Sequence, residues 1–597
     1  MIRYAIGSTL PAAHYFDIQL TIDQPDPEGQ CLRMPAWIPG SYMIRDFARH
    51  IVEISARDDT GEVALEQLNK SSYRAAPAAG TLQVDYRVYA WDLSVRGAHL
   101  DTTHGFFNGS SVFLEVLGQS DQPCRVQIDR PVGPACEQWR LATTLARLSG
   151  EEFGFGEFAA VDYQELIDHP VEMGGFEQVS FEACGVRHDV VLTGRFECDY
   201  ARLSDDLAQI CTTHIRMFGE PAPMQRYLFL VMVVGDGYGG LEHRSSTALM
   251  CSRNDLPRPG AQPDAAYRQF LGLCSHEYFH SWNVKRIHPR VLGAADLSSE
   301  AYTPLLWAFE GITSYYDDLA LVRSGCITRE QYLEAIGQTM TRVQRGQGRL
   351  RQSVAQSSFN AWSKFYKQDE NAPNAIVSYY AKGSLVALCI DLRIRQLTDQ
   401  NKSLDDVMRA LWALYQKNGG AVDDDTIQRF VTEVAGQDIG EDLTQWINGT
   451  NDLPLAQLLT QHGVTLNTRS ASGFQDKGGS EAAESFSWSL GASLKQSTCG
   501  LEVVSVREGG AAQVAGVAAG DQLIAWNGIK ATLADCESLL KRTATGPTQQ
   551  ITVFRRDELM QFEVSLQPAP ADTVYLTIPD AAAGVLDDWL GTLMPSS

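Results

Sequence analysis

Apolar and polar residues alternate through the first part of the chain. The stretches HYFDIQLTID (14–23), LQVDYRVYAWDLSV (82–95) and SVFLEVLG (111–118) have period two, with turn residues between them. That spacing predicts half-buried strands over residues 1 to about 170. WIPGSYMIRDFARH (37–50) breaks the alternation at Pro39-Gly40 and reads as a loop with a helical turn after it. YLFLVMVV (227–234) is a continuous apolar run of strand length. It is too short to span a bilayer and suits a buried strand.

From about residue 260 the period changes. AAYRQFLGLCSHEYFHSWNV (265–284), LLWAFEGITSYYDDLALVR (305–323), KGSLVALCIDLRIRQLT (382–398) and SLDDVMRALWALYQKN (403–418) repeat apolar residues at three and four. They predict helices to about residue 465. SASGFQDKGGSEAAESFS (470–487) has no period and reads as a linker or exposed loop. Short strands return after it in GLEVVSV, DQLIAWNG and QQITVFRR. The expected fold class is multidomain α+β. Its parts are an N-terminal β-rich domain (1–170), a catalytic domain (171–345), an α-helical domain (346–469) and a C-terminal domain (485–570).

Composition narrows this picture. A chain of 597 residues is too long for one core. The formal charge of −24 argues against nucleic acid or an anionic membrane as partner. Twelve scattered cysteines without Cys-x-x-Cys spacing read as small buried hydrophobes. The N-terminal stretch has no signal-peptide h-region, so the cytoplasm is the expected location, or the periplasm if a leader has been removed. No stretch predicts a transmembrane segment.

The chemistry concentrates in His276-Glu-Tyr-Phe-His280. Histidines four apart on a helix point from one face and can reach one metal ion. Glu277 stands beside that face, where a general base is needed. A catalytic zinc site requires a third protein ligand. His288 lies past the expected helix end and before Pro289, which leaves the acids Glu300 and Glu310. Glu300 is in a loop-like stretch. Glu310 is on an apolar helix, where a carboxylate is costly unless paired or metal-bound, and this favours Glu310.

HEYFHSWNVKRI followed by WAFEGITSYY resembles the glycyl aminopeptidase family of gluzincin zinc metallopeptidases. PAWIPGSYMIRDFARH and HGFFNGSSVFL (104–114) are similar to its N-terminal segments. The resemblance covers most of residues 1–470. It implies a thermolysin-like catalytic domain, Zn²⁺ as cofactor, and Glu310 as third ligand with His276 and His280. The shorter spacing of aminopeptidase N relatives would point to Glu300, but the Trp-x-x-Glu-Gly context decides for Glu310. GGLEH (239–243) resembles the exopeptidase motif of those relatives. Paired Gly239 and Gly240 let a substrate backbone approach closely, and the likeness implies that Glu242 binds the substrate α-ammonium. SYYAKG (378–383) resembles their Tyr-Glu-Lys-Gly stretch, with Ala381 in place of Glu. Tyr380 is then the oxyanion donor, although Tyr379 beside it allows a slip of one.

The resemblance implies a zinc aminopeptidase acting on peptides with a free N-terminus and a small first residue, Gly and also Ala. Glu277 is the expected base. Phe106 or Phe107 could wall the first side-chain pocket. CGLEVVSVREGGAAQVAGVAAGDQLIAWNGIKA (499–531) looks like a bacterial-protease PDZ domain. It implies a groove for a peptide C-terminus, capped by amides near Gly500-Leu501 and walled by a helix at 533–542. The tail at 581–597 could form an amphipathic helix that docks on the core or on a second subunit, making a homo-oligomer. Two other readings stay open: an inactive scaffold that binds tails through the PDZ domain, and a zinc endopeptidase.

Overall fold

The computed structural model describes residues 1–542, 544, 546–579 and 586–591. The chain forms two compact units, residues 1–301 with 412–421, and residues 302–411 with 422–597.

The expected β-rich N-terminus is present. Its largest sheet has eight strands and is built on the alternating segments. Tyr15–Ile22 pairs antiparallel with both Ile2–Gly7 and Leu82–Tyr89. Alternate residues of Tyr15–Ile22 are buried: Phe16, Ile18, Leu20 and Ile22. A period-two strand with one dry face behaves this way.

The same unit holds a five-stranded sheet. We label its elements β1 (Glu177–Ala183), β2 (Val186–Gly194), α1 (Tyr200–Phe218), β3 (Arg226–Val234), β4 (Gly239–Glu242), β5 (Ser246–Ser252) and α2 (Ala265–Phe279). The strand order is β1-β2-β3-β5-β4. Strands β2, β3 and β5 are parallel, and β4 returns antiparallel on β5 as an edge strand. The run 227–234 is β3, as its apolar continuity requires. Asp264 caps α2 by accepting the amide of Tyr267 at 2.9 Å. Such a cap contributes about 1 kcal/mol. Helix α2 is buried nearly all round, with Phe270, Leu271, Cys274, Tyr278 and Phe279 each 2% exposed or less. His188 Nε2 meets the Tyr278 hydroxyl at 2.9 Å, and His214 Nε2 meets the Ser275 hydroxyl at 2.8 Å. These bonds fix the rotation of α2 and so the direction of its histidines.

In the second unit a π-helical turn, Trp307–Gly311, leads into a helix at Ile312–Arg323. α3 (Arg329–Arg345) and α4 (Ala381–Leu397) follow. Helix α4 buries Asp391, which accepts from the Tyr315 hydroxyl at 2.6 Å and from Arg395 Nε at 3.0 Å.

The C-terminal sheet runs β6 (Ala492–Ser497), β7 (Gly500–Val506), β8 (Gln522–Trp526), β9 (Thr548–Arg555) and β10 (Glu558–Ser565). Helix α5 (Leu533–Lys541) lies where the groove wall was expected. The carboxylate-capping amides do not fall at Gly500-Leu501. Those residues pair with Ser497 and Gln496 of β6, and Leu501 also pairs with Leu523 of β8, so they lie inside the sheet. The edge strand beside α5 is β6. A pocket of about 130 Å³ there is lined by Leu490, Gly491, Ala492 and Leu540. The linker 470–487 has no regular structure, yet Phe474 and Phe486 pack on this domain's core, with ring centroids 5.5 Å apart.

Asn374 ties the C-terminal domain to the helices by donating to the carbonyl of Val506 at 2.9 Å and accepting from the amide of Glu508 at 3.0 Å. Of the tail, residues 586–591 are described. Asp587–Leu590 is one short helical turn, and Trp589 docks in its own unit by donating to the Tyr315 hydroxyl at 2.9 Å. The remainder of the expected tail helix lies outside the described residues. Among the described residues no helix is long and apolar enough to cross a membrane.

Candidate active site

His276 sits in the last turn of α2, and His280 is the C-cap, still in helical conformation. Their rings lie 4.7 Å apart between centroids, with planes at 86°. His280 Nδ1 donates to the carbonyl of Asn283 at 2.6 Å. A carbonyl only accepts, so the proton is fixed on Nδ1 and the Nε2 lone pair is left for a metal. The donor chemistry of the helix therefore fits a divalent ion.

Glu277 is 5% exposed, and the hydroxyl of Tyr227 points at its carbonyl oxygen at 3.4 Å. Strand β4 runs past this helix. Glu242, Glu277 and His280 each offer one ligand atom, and these atoms lie within 4.8 Å of one another. Glu242 is 3% exposed, and its Oε1 has no hydrogen-bond partner among the described residues. Two buried carboxylates this close repel unless a cation lies between them. The exopeptidase likeness implies such a cation at Glu242, and β4 carries Glu242 to Glu277.

Two glycines make room for this approach. A Cβ on Gly240 would stand 2.0 Å from Glu277 Oε1. A Cβ on Gly40 would stand 2.5 Å from both oxygens of Glu242, and Gly40 has φ +94°. The 37–50 loop therefore closes over the Glu242 carboxylate. Gly40 lies in the family-like segment 35–50, where nothing in the local pattern signals this contact. Arg96 lies in no motif. Its Nη2 donates to the Gly240 carbonyl at 3.0 Å.

Behind Glu242, His243 Nδ1 lies 3.4 Å from Asp168 Oδ1, and Lys285 Nζ lies 2.6 Å from the same oxygen. The amide of Arg244 donates to Asp168 Oδ2 at 2.9 Å. Burial alone would raise the Asp168 pKa. The Lys285 charge and the His243 contact outweigh it and hold the carboxyl well below its usual range. The cluster anchors the end of β4, and local sequence pattern did not reveal it.

Glu300 is exposed in an irregular stretch. Glu310 is 2% exposed, inside the π-helical turn. Such a turn frequently marks a functional position. The glycines of WAFEG and YYAKG pack on each other: a Cβ on Gly311 would be 2.6 Å from Gly383 Cα. This contact sets the π-turn against the start of α4, where Tyr380 is the N-cap. Burial and then the Glu310 charge, with Tyr366 and Tyr379, push the Tyr380 phenol well above 10. Tyr380 is therefore a neutral donor. Its hydroxyl lies 3.5 Å from that of Tyr366. Tyr379 is fully buried. His288 Nδ1 is bonded to the Arg286 carbonyl at 3.0 Å. Phe106 lines a small cavity of about 20 Å³ beside Leu249 and Met250, whereas Phe107 packs in the core on Phe16 and Phe113.

Residues 3–175 match the peptidase M61 N-terminal domain, residues 269–386 match M61 glycyl aminopeptidase, and residues 489–566 match a PDZ domain. An aminopeptidase N family protein from Idiomarina loihiensis is similar at 42% identity over 100% of both chains, with TM-score 0.96. An M1 zinc metallopeptidase from Deinococcus radiodurans is a distant likeness at 13% identity. It covers 76% of this chain and 94% of that one, with TM-score 0.47, too low to bear on the site. No curated protein matches the chain. The fold and the family match define a metallo-aminopeptidase. Within that class the chain belongs to the glycyl aminopeptidase family of gluzincins and carries a C-terminal PDZ domain.

Proposed function

We propose that the protein is a zinc aminopeptidase that removes small N-terminal residues, Gly and also Ala, from peptides. The observation that carries this is the pair of buried carboxylates Glu242 and Glu277 meeting at His280. One is suited to a substrate ammonium and the other to a water proton. His276, His280 and Glu310 would hold zinc. Each supplies one ligand atom of a type zinc accepts, and the family's peptidase domain spans all three. Zinc bound there would supply Lewis-acid polarisation of the scissile carbonyl and acidify water.

The chain's own groups do the rest. Glu277 accepts the proton of the attacking water and passes it to the leaving amine. Tyr380, kept neutral, donates to the oxygen on which charge develops. Glu242 holds the α-ammonium and sets the cut one residue in. Gly239 and Gly240 let the substrate backbone approach β4. The PDZ groove between β6 and α5 is suited to a peptide C-terminus.

A panel of aminoacyl chromogenic substrates, Gly through Phe, with and without chelator, tests this reading. Gly and Ala substrates should turn over fastest, and chelator should abolish turnover. Glu277→Gln should keep zinc, measured by metal analysis, and lose at least about 100-fold in kcat. Full activity in that variant removes Glu277 as the base. Turnover unaffected by chelation removes the metal from the reaction.

A further inference from the structure

Arg96 stands against the edge strand that carries the ammonium-binding carboxylate. Its Nη2 holds the Gly240 carbonyl at 3.0 Å, and its Nη1 lies 3.6 Å from where a Gly239 Cβ would be. The guanidinium therefore lies along the Gly239-Gly240 backbone. Gly240 in turn touches the base, since its missing Cβ would sit 2.0 Å from Glu277 Oε1. The Arg96 backbone amide is bonded to the Ser94 hydroxyl at 3.2 Å. Its Nε is buried without a hydrogen-bond partner, and among the described residues no carboxylate pairs with Arg96. The chain carries 73 acidic and 49 basic side chains. A half-buried arginine without a carboxylate is out of character in so acidic a protein, because such a group normally has an anionic partner.

The order of groups along β4 indicates what that partner is. Glu242 is at one end, Glu277 stands at Gly240, and Arg96 lies at Gly240 and Gly239. A substrate with its ammonium at Glu242 and its scissile bond at Glu277 runs antiparallel to β4, toward Gly239. At about 3.4 Å per residue, two to three strand positions span roughly 7–10 Å. That is the distance from the first residue's ammonium to the second residue's carboxyl group. We infer that Arg96 is a substrate-binding residue on the leaving-group side, where it takes a peptide carboxylate. The carboxylate is either the C-terminus of a dipeptide or an Asp or Glu side chain in second position. This rests on the reading of Glu242 as the ammonium site. Arginine suits the task because its planar fork can hold the Gly240 carbonyl with one nitrogen and a carboxylate with the others.

The experiment compares kcat/KM for Gly-Ala against Gly-Ala-amide, and for Gly-Glu-amide against Gly-Gln-amide, in the full-length zinc enzyme and in Arg96→Met and Arg96→Lys. At least one ratio should be about tenfold or more in the native enzyme, and which one identifies the carboxylate. That ratio should fall to within about twofold of unity in Arg96→Met and recover in part in Arg96→Lys. Two ratios near unity in the native enzyme overturn the inference. So does a ratio that survives in Arg96→Met, because an arginine that only braces Gly240 lowers all rates together. Acetyl-Gly-Ala is the control for the underlying reading. Its cleavage would remove the ammonium role of Glu242, whereas the ratios decide the role of Arg96.

Discussion

At the residue scale the site depends on atoms that are missing. Gly240 and Gly40 leave the space that Glu277 and Glu242 fill, and a methyl at either position enters a carboxylate. Gly240→Ala should fold normally by circular dichroism, because the colliding atom is the end of a flexible side chain. Its kcat should drop by roughly 10- to 100-fold if Glu277 acts as the proposed base, because that carboxylate must move by about 1 Å or more. Gly40→Ala adds the strain of a positive φ, roughly 1–2 kcal/mol, and pushes on Glu242. Its loss should therefore appear mainly in KM for free-amine substrates. Glu242→Ala should do the same without the strain, and equal activity on N-acetylated peptides would contradict the ammonium role. Here the sequence pointed to Glu242, Glu277 and the histidines as candidates, because each lies within a short motif. It was silent on Gly40 and Arg96, because their partners lie about 200 and 140 positions away and local periodicity does not record such distances.

At the element scale two motifs prove to be one contact. WAFEG and SYYAKG are separated by some 70 residues, but Gly311 and Gly383 meet backbone to backbone. That approach joins the π-turn to the start of α4 and brings Glu310 close enough to act on the Tyr380 phenol. Gly311→Ala should cost about 1–3 kcal/mol through overpacking, because the obstacle is backbone and cannot rotate away. A lowered denaturant midpoint together with reduced kcat would show it, and an unchanged midpoint would contradict the packing. The period-three-and-four pattern predicted the helices on either side. It did not predict the π-turn, which adds one residue per turn where Glu310 needs burial. Nor did apolar pattern separate the linker from structure: two phenylalanines in a polar stretch sufficed to pack it on the PDZ core.

At the scale of the whole molecule, buried histidines set a pH limit. Burial first, and then the neighbouring His104, depress His99 to about 4. Burial also depresses His188 to about 4. A base whose folded pKa lies below its unfolded value gives stability that is present above pH 6.5 and lost as pH falls toward 4. Urea unfolding followed from pH 7 to 4.5 should show the midpoint falling, and His99→Gln should fall less steeply. Equal slopes would contradict the assignment. Asp168, held well below its usual range, adds a loss at still lower pH with the same sign, because the unfolded carboxylate takes up its proton before the folded one does.

The elements, the His276-to-His280 motif with Glu277 beside it, and the family were legible in the chain, because each is written in spacings of a few residues that backbone geometry translates directly. Tertiary structure alone decided what those elements meet. It set Gly40 over Glu242, Arg96 along Gly240, Gly311 on Gly383, and β6 rather than Gly500-Leu501 at the PDZ edge. The physical reason is that close approach and strand order depend on which distant backbones share a surface. A missing Cβ or an unpaired donor shows its purpose only once that surface has formed.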